Sequence, residues 1–154
     1  MKILVSACLA GINCRYDGKN KVNKKIKKMV EEGKAVCVCP EELGELSSPR
    51  PASEILNSTG EDVLKGKAKV INKRGEDVTS NFIKGAYKTL DIAKKYKINK
   101  AILKSKSAAC GKESIYDGSF KNRLIKGNGV TCALLLKNNM KVLTEAEWEN
   151  KKAP

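Results

Sequence analysis

Val5-Ser6-Ala7-Cys8-Leu9-Ala10-Gly11-Ile12-Asn13-Cys14-Arg15-Tyr16-Asp17-Gly18 begins where a short apolar run, Ile3-Leu4-Val5, ends. Such a run bounded by small residues reads as a buried strand, so Cys8 falls at the strand's carboxyl end. Two later cysteines share that placement. Cys39 closes Ala35-Val36-Cys37-Val38, and Cys110 follows Ala101-Ile102-Leu103 after a short serine-bearing loop. If the three strands lie parallel in one sheet, their cysteines meet.

Working outward, Val22 through Gly33 sets Val22, Ile26, Met29 and Val30 on one helical face and ends at a glycine suited to a left-handed cap. The segment from Cys39 to Pro51 holds three prolines and a glycine, so most of it is expected to be irregular, and an ordered loop of that length is usually functional. Lys67 through Asn72 alternates like a half-exposed strand. Asp77 or Thr79 then caps a helix reaching about Tyr96, with Phe82, Ile83, Ala86, Tyr87, Leu90 and Ala93 on one stripe. A glycine-punctuated loop is expected after Cys110, then a short apolar helix from Gly129 to Lys137 carrying Cys132, and a final strand at Met140 to Leu143. Strands alternating with helices indicate an α/β fold: one domain over 1–149, an open, mostly parallel, Rossmann-like sheet with helices on both faces. The lysine-rich tail, 150–154, is expected to fray.

A chain of 154 residues can bury a core without disulfide staples. The apolar stretch after Met1-Lys2 is too short for a signal peptide and none approaches a membrane span, so a soluble, cytoplasmic protein without a membrane partner is expected. In that reducing compartment six cysteines read as thiolates for metal or chemistry. There is no histidine, which removes Cys-His zinc sites, Cys-His nucleophilic pairs and histidine bases. Lysine and arginine outnumber the acids 31 to 17, a net charge of +14 that draws polyanions, yet few aromatics accompany them as stacking platforms for bases.

Ligands of open α/β sheets settle beyond the carboxyl ends of the strands, where Cys8, Cys39 and Cys110 are expected. Soft thiolates without imidazole select zinc, copper(I) or iron-sulfur clusters, and three cysteines from separate loops resemble a cluster cage more than paired zinc knuckles. Cys14, in the same loop as Cys8, is a possible fourth ligand, a persulfide carrier or a turn residue. Cys37 and Cys132 read as core. Tyr16-Asp17-Gly18 returns as Tyr116-Asp117-Gly118, two Asp-Gly turns whose carboxylates can bond backbone amides. Arg15 and Arg50 can neutralise negative charge or hold a phosphate, and Thr59-Gly60 and Gly127-Asn128-Gly129 offer amides near a possible anion without forming a P-loop.

These blocks, with Cys39-Pro40-Glu41, Gly44, Pro49-Arg50-Pro51, Ser107 to Gly111 and Ile115 to Phe120, recur in the order found in the thiouracil desulfidase family, which the chain resembles over nearly its whole length. The resemblance implies a [4Fe-4S] cluster held by Cys8, Cys39 and Cys110, whose free iron takes the thiocarbonyl sulfur of a thiolated uracil without net redox change. It also implies that Glu41 and Ser107 assist. Ser107-Ala108-Ala109-Cys110 stands where relatives commonly carry Ser-Pro-Ser-Cys, so the second serine is missing. In chemical terms a Lewis acid on sulfur activates the thiocarbonyl carbon, water attacks, Glu41 carries the proton and Ser107 bonds the pyrimidine. Two other functions fit the charge and the thiols: a tRNA thiolation or dethiolation factor binding tRNA or nucleotides, and a non-catalytic zinc or cluster module docking to RNA.

Overall fold

The computed structural model describes residues 2–152. Its main sheet has four parallel strands, β1 (Ile3–Ser6), β2 (Ala35–Val38), β5 (Lys100–Leu103) and β8 (Lys141–Thr144), in the order β2-β1-β5-β8. Side chains on each strand alternate between two cores. On one face Val5, Ile102 and Leu143 meet Ile26 of α1 (Lys24–Glu31) and Trp148 of α6 (Glu145–Lys152). On the other, Leu4, Ala101, Leu103 and Val142 meet Phe82, Ala86 and Leu90 of α4 (Thr79–Lys95) and Leu135 of α5 (Val130–Lys137). The expected α/β architecture with helices on both faces is present.

From β1 the chain crosses to β2 on one side and later returns to β5 on the other. The gap between the ends of β1 and β5 is therefore a topological switch point, where this class of sheet takes its ligands. Ser6 joins the two ends, its buried hydroxyl accepting from the Lys104 N–H at 2.9 Å.

Several elements differ from expectation. Pro40–Leu43 forms a helical turn, α2, because proline at a first helical position loses no hydrogen bond. The alternating stretch contributes only β4 (Val70–Asn72), which pairs antiparallel with β3 (Ser53–Ile55) outside the main sheet. After Cys110 a second hairpin pairs β6 (Ser114–Tyr116) with β7 (Leu124–Lys126). A short helix, α3 (Gly60–Leu64), starts on the Thr59 hydroxyl. At α4 the cap residue is Val78, with Asp77 accepting from the Thr79 N–H at 2.9 Å.

Residues 150–152 continue α6, so the described part of the expected tail is helical, while residues 153 and 154 lie outside the described residues. Thr144 and Glu147 form a reciprocal capping box at its start, at 3.0 and 3.1 Å. The Thr144 N–H and the Lys112 ammonium hold the Glu147 carboxyl below its ordinary value. No helix among the described residues is long and apolar enough to cross a membrane.

One contact fixes α2, and with it Cys39 and Glu41, onto the long helix. Backbone meets backbone where α2 crosses α4: a Cβ on Gly85 would run into the Pro40 carbonyl, and one on Gly44 into the Asn81 carbonyl. Gly85→Ala is therefore expected to destabilise the fold by about 2 kcal/mol in denaturant unfolding, through overpacking that no side-chain rotation relieves. An unchanged midpoint would contradict the close crossing.

Candidate active site

At the carboxyl end of the sheet lies a cavity of about 530 Å³ bordered by Cys8, Cys14, Cys39 and Cys110 together with Glu41 and Ser107. Cys8 sits in a 3-10 turn, Ala7–Ala10, that continues β1; its carbonyl accepts from the Lys21 N–H at 3.0 Å. Cys39 follows β2 directly and is the residue that begins α2. Cys110 hangs from a loop bolted to the start of α5, whose Val130 and Thr131 amides bind the Ala108 and Ala109 carbonyls at 2.8 and 2.9 Å. Three distant cysteines thus reach one cavity, as the strand pattern implies.

Ser107 turns that loop. Its Oγ accepts from the Cys110 N–H at 2.7 Å, which leaves its own O–H free to donate into the cavity it lines. The amides of Gly60 and Gly129 are spent on the carbonyls of Asn128 and Gly111, both at 2.7 Å. The glycine segments therefore brace the Cys110 loop.

Arg50 is the hub that sequence reading placed least well. Its side chain is only 4 % exposed and pairs with Glu41, Nη2 to Oε2 at 3.1 Å and Nε to Oε1 at 3.3 Å. The same guanidinium donates to the Cys14 carbonyl at 2.9 Å, to the Ser47 carbonyl at 3.0 Å and to the Ser48 hydroxyl at 2.6 Å. Rather than waiting for a phosphate, it joins the Cys14 loop to the Glu41 helix. Arg15 pairs with Asp17 at 3.5 Å.

The thiols sense one another. A bond with Cys14 and burial push the Cys39 thiol up, while the Glu42 backbone amide pulls the other way. At Cys14 a bond from Cys39 lowers the value, but the bond with Cys8, burial and neighbouring charge outweigh it and push the thiol up to about 12. Burial raises Cys110 against a hydrogen bond with Ser6. Crowded protonated thiols of this kind need a cation to become thiolates, which is what a metal centre provides. Among the described residues no three His, Cys, Asp or Glu side chains stand close enough to share a single metal ion. Ligands bound to separate irons of a cluster need not approach so closely.

Cys132 is buried on α5, its thiol 3.9 Å from Asn128 Oδ1, and Cys37 is half-buried on β2; neither borders the cavity. The repeated turns behave as expected: Asp17 accepts from Lys19 N–H at 3.0 Å and Asp117 from Ser119 N–H at 2.9 Å. Tyr16 and Tyr116 both face the cavity, so the echo flanks the site. Sequence reading missed Ser6, Glu54 and Lys104 on its wall, and only the end-of-strand position of Ser6 and Lys104 signals them.

A family model described as 2-thiouracil desulfurase matches residues 3–147. The uncharacterized protein YbbK of Bacillus subtilis (strain 168) is 50% identical over 145 residues, covering 94% of this chain and 96% of that protein. A solved structure described as the [4Fe-4S]-dependent thiouracil desulfidase TudS superposes with a TM-score of 0.84 at 37% identity, covering 97% of this chain and 93% of that one. With a family model spanning nearly its whole length and so near a relative beside it, this chain belongs to the 2-thiouracil desulfurase family.

Proposed function

We propose that the protein is a [4Fe-4S]-dependent desulfidase that converts a thiolated uracil and water into the oxo-pyrimidine and hydrogen sulfide. The supporting observation is the convergence of Cys8, Cys39 and Cys110, from the ends of three adjacent parallel strands, on a cavity that also holds Glu41 and Ser107. The donor set fits such a cluster: soft thiolates, no imidazole, and three separate backbone segments to surround it. Cys8, Cys39 and Cys110 would hold the cluster, and when bound it would supply a Lewis acid for the thiocarbonyl sulfur.

The chain's own groups do the rest. Glu41 takes a proton from the attacking water and delivers it toward the ring nitrogen or the departing sulfur. Arg50 fixes the direction of both Glu41 oxygens, so the acceptor is oriented before substrate arrives. Ser107 O–H donates to the pyrimidine, while buried Ala108 and half-buried Ala52 line an apolar wall. Carbon exchanges sulfur for oxygen and no electron is gained or lost.

Iron-loaded protein prepared without oxygen is expected to release one sulfide for each 2- or 4-thiouracil consumed. A fully loaded protein that turns over neither free base, nucleoside nor thiolated tRNA overturns the activity. A tRNA substrate is the second reading, favoured by Lys73, Lys104 and Lys106 on the cavity wall and the net charge of +14; it requires tRNA binding that weakens steeply with salt.

A further inference from the structure

Glu54 is a carboxylate to which the reaction assigns no task. It lies mid-strand in β3, pairs with Ile71 across the small sheet and is 9% exposed, with its side chain on the cavity wall. One oxygen, Oε1, accepts from the Gly118 N–H at 2.9 Å and the Phe120 N–H at 3.1 Å. Among the described residues no protein donor meets Oε2, and that atom is not sealed from solvent. Oε2 is therefore an acceptor without a protein partner that opens on the cavity, where a donor on a bound molecule can take the place of water.

The same carboxylate holds its neighbour in an unusual pose. Phe120 has φ of +59°, a conformation bulky side chains rarely adopt, and its N–H is one of the two bonded by Glu54. The turn it stabilises, between β6 and β7, carries the Phe120 ring to the cavity wall. One buried acid thus presents a free acceptor and secures an aromatic surface beside it.

We propose that Glu54 and Phe120 form the base-recognition subsite: Oε2 accepts the N3–H of a uracil-type ring whose face or edge packs on Phe120. This rests on the thiouracil reading above and deepens it. N3–H is flanked by the 2- and 4-positions, so a ring held there keeps either thiocarbonyl beside the anchored edge and free to face the cysteines. N3–H also remains when N1 carries a sugar. Cytosine-type rings present a lone pair at N3, which a carboxylate repels, so the subsite selects imides.

The test uses the iron-loaded protein and binding of uracil, N1-methyluracil, N3-methyluracil and cytosine by ligand-observed NMR, with sulfide release from thiouracil followed on the same preparation. Wild type is expected to bind uracil and N1-methyluracil alike and the other two at least about 10-fold more weakly. In Glu54→Gln the amide oxygen can keep the two backbone bonds while the amide nitrogen replaces the acceptor. Uracil should then weaken about 10-fold or more and the preference over cytosine should collapse. Wild-type discrimination retained by Glu54→Gln, or N3-methyluracil binding wild type as well as uracil, overturns the subsite. Absence of sulfide release from a protein that shows the expected discrimination overturns the activity and leaves the subsite standing.

Discussion

Serine at Cys8, Cys39 or Cys110 is expected to leave the anaerobically loaded protein with less than roughly a tenth of its iron and no measurable sulfide release. Each sulfur comes from a different strand end and is fixed there by the sheet or by the bolted Cys110 loop. Cys14→Ser should keep its iron. What the Cys14 position contributes to the scaffold is its carbonyl, on which Arg50 at 2.9 Å, Ser48 at 3.2 Å and the Cys39 thiol at 3.5 Å all converge, and serine preserves that carbonyl. Iron analysis of the four variants checks both halves. Loss of iron in Cys14→Ser would make it the fourth ligand and remove the open iron that the mechanism requires.

Arg50 and Glu41 give the second large effect, and they should fail differently. Arg50→Met leaves the Glu41 carboxylate, 19% exposed, without its cation and cuts the tie to the Cys14 loop. Breaking a buried pair from one side costs about 3 kcal/mol, visible as a lowered midpoint in denaturant unfolding followed through Trp148. Glu41→Gln keeps most hydrogen-bonding geometry and should hold its iron, but it cannot carry a proton. Its kcat is expected to fall by about 10²–10⁴. Because buried Arg50 loses its counter-charge the unfolding midpoint should drop too, by less than in Arg50→Met since the amide oxygen still accepts from the guanidinium. If Glu41→Gln retained wild-type kcat, the proton carrier would have to be another group.

Strand ends and parallel topology were legible from local pattern alone. The runs before Cys8, Cys39 and Cys110 are apolar and bounded, and once strands alternate with helices a parallel sheet is the economical solution. The small hairpins were not legible, because Ser53–Ile55 and Leu124–Lys126 are three residues long and show no alternation that a turn would not also show. α2 was hidden by its proline, which disfavours a helix interior yet suits a helix start. The capping box at Thr144 and Glu147 was visible in principle, and it starts the helix that continues over residues 150–152.

For the site, donor atoms could be read and their supports could not. Thiol spacing named the cysteines, but Arg50 is buried only where the Cys14 loop meets its own stretch from Glu41 to Ser48, and no short window of sequence contains both. Glu54 is an ordinary acid in an ordinary strand until the β6–β7 turn folds over it. Tertiary structure decides which polar groups are sequestered, and sequestration turns a common residue type into a functional one.

The most direct measurement is quantitation of iron, acid-labile sulfide and zinc in wild-type protein purified and handled without oxygen. About four irons and four sulfides per chain, lost together on exposure to air, are the predicted result. One zinc per chain with neither iron nor labile sulfide would contradict it, and would mean that Cys8, Cys39 and Cys110 enclose a structural metal.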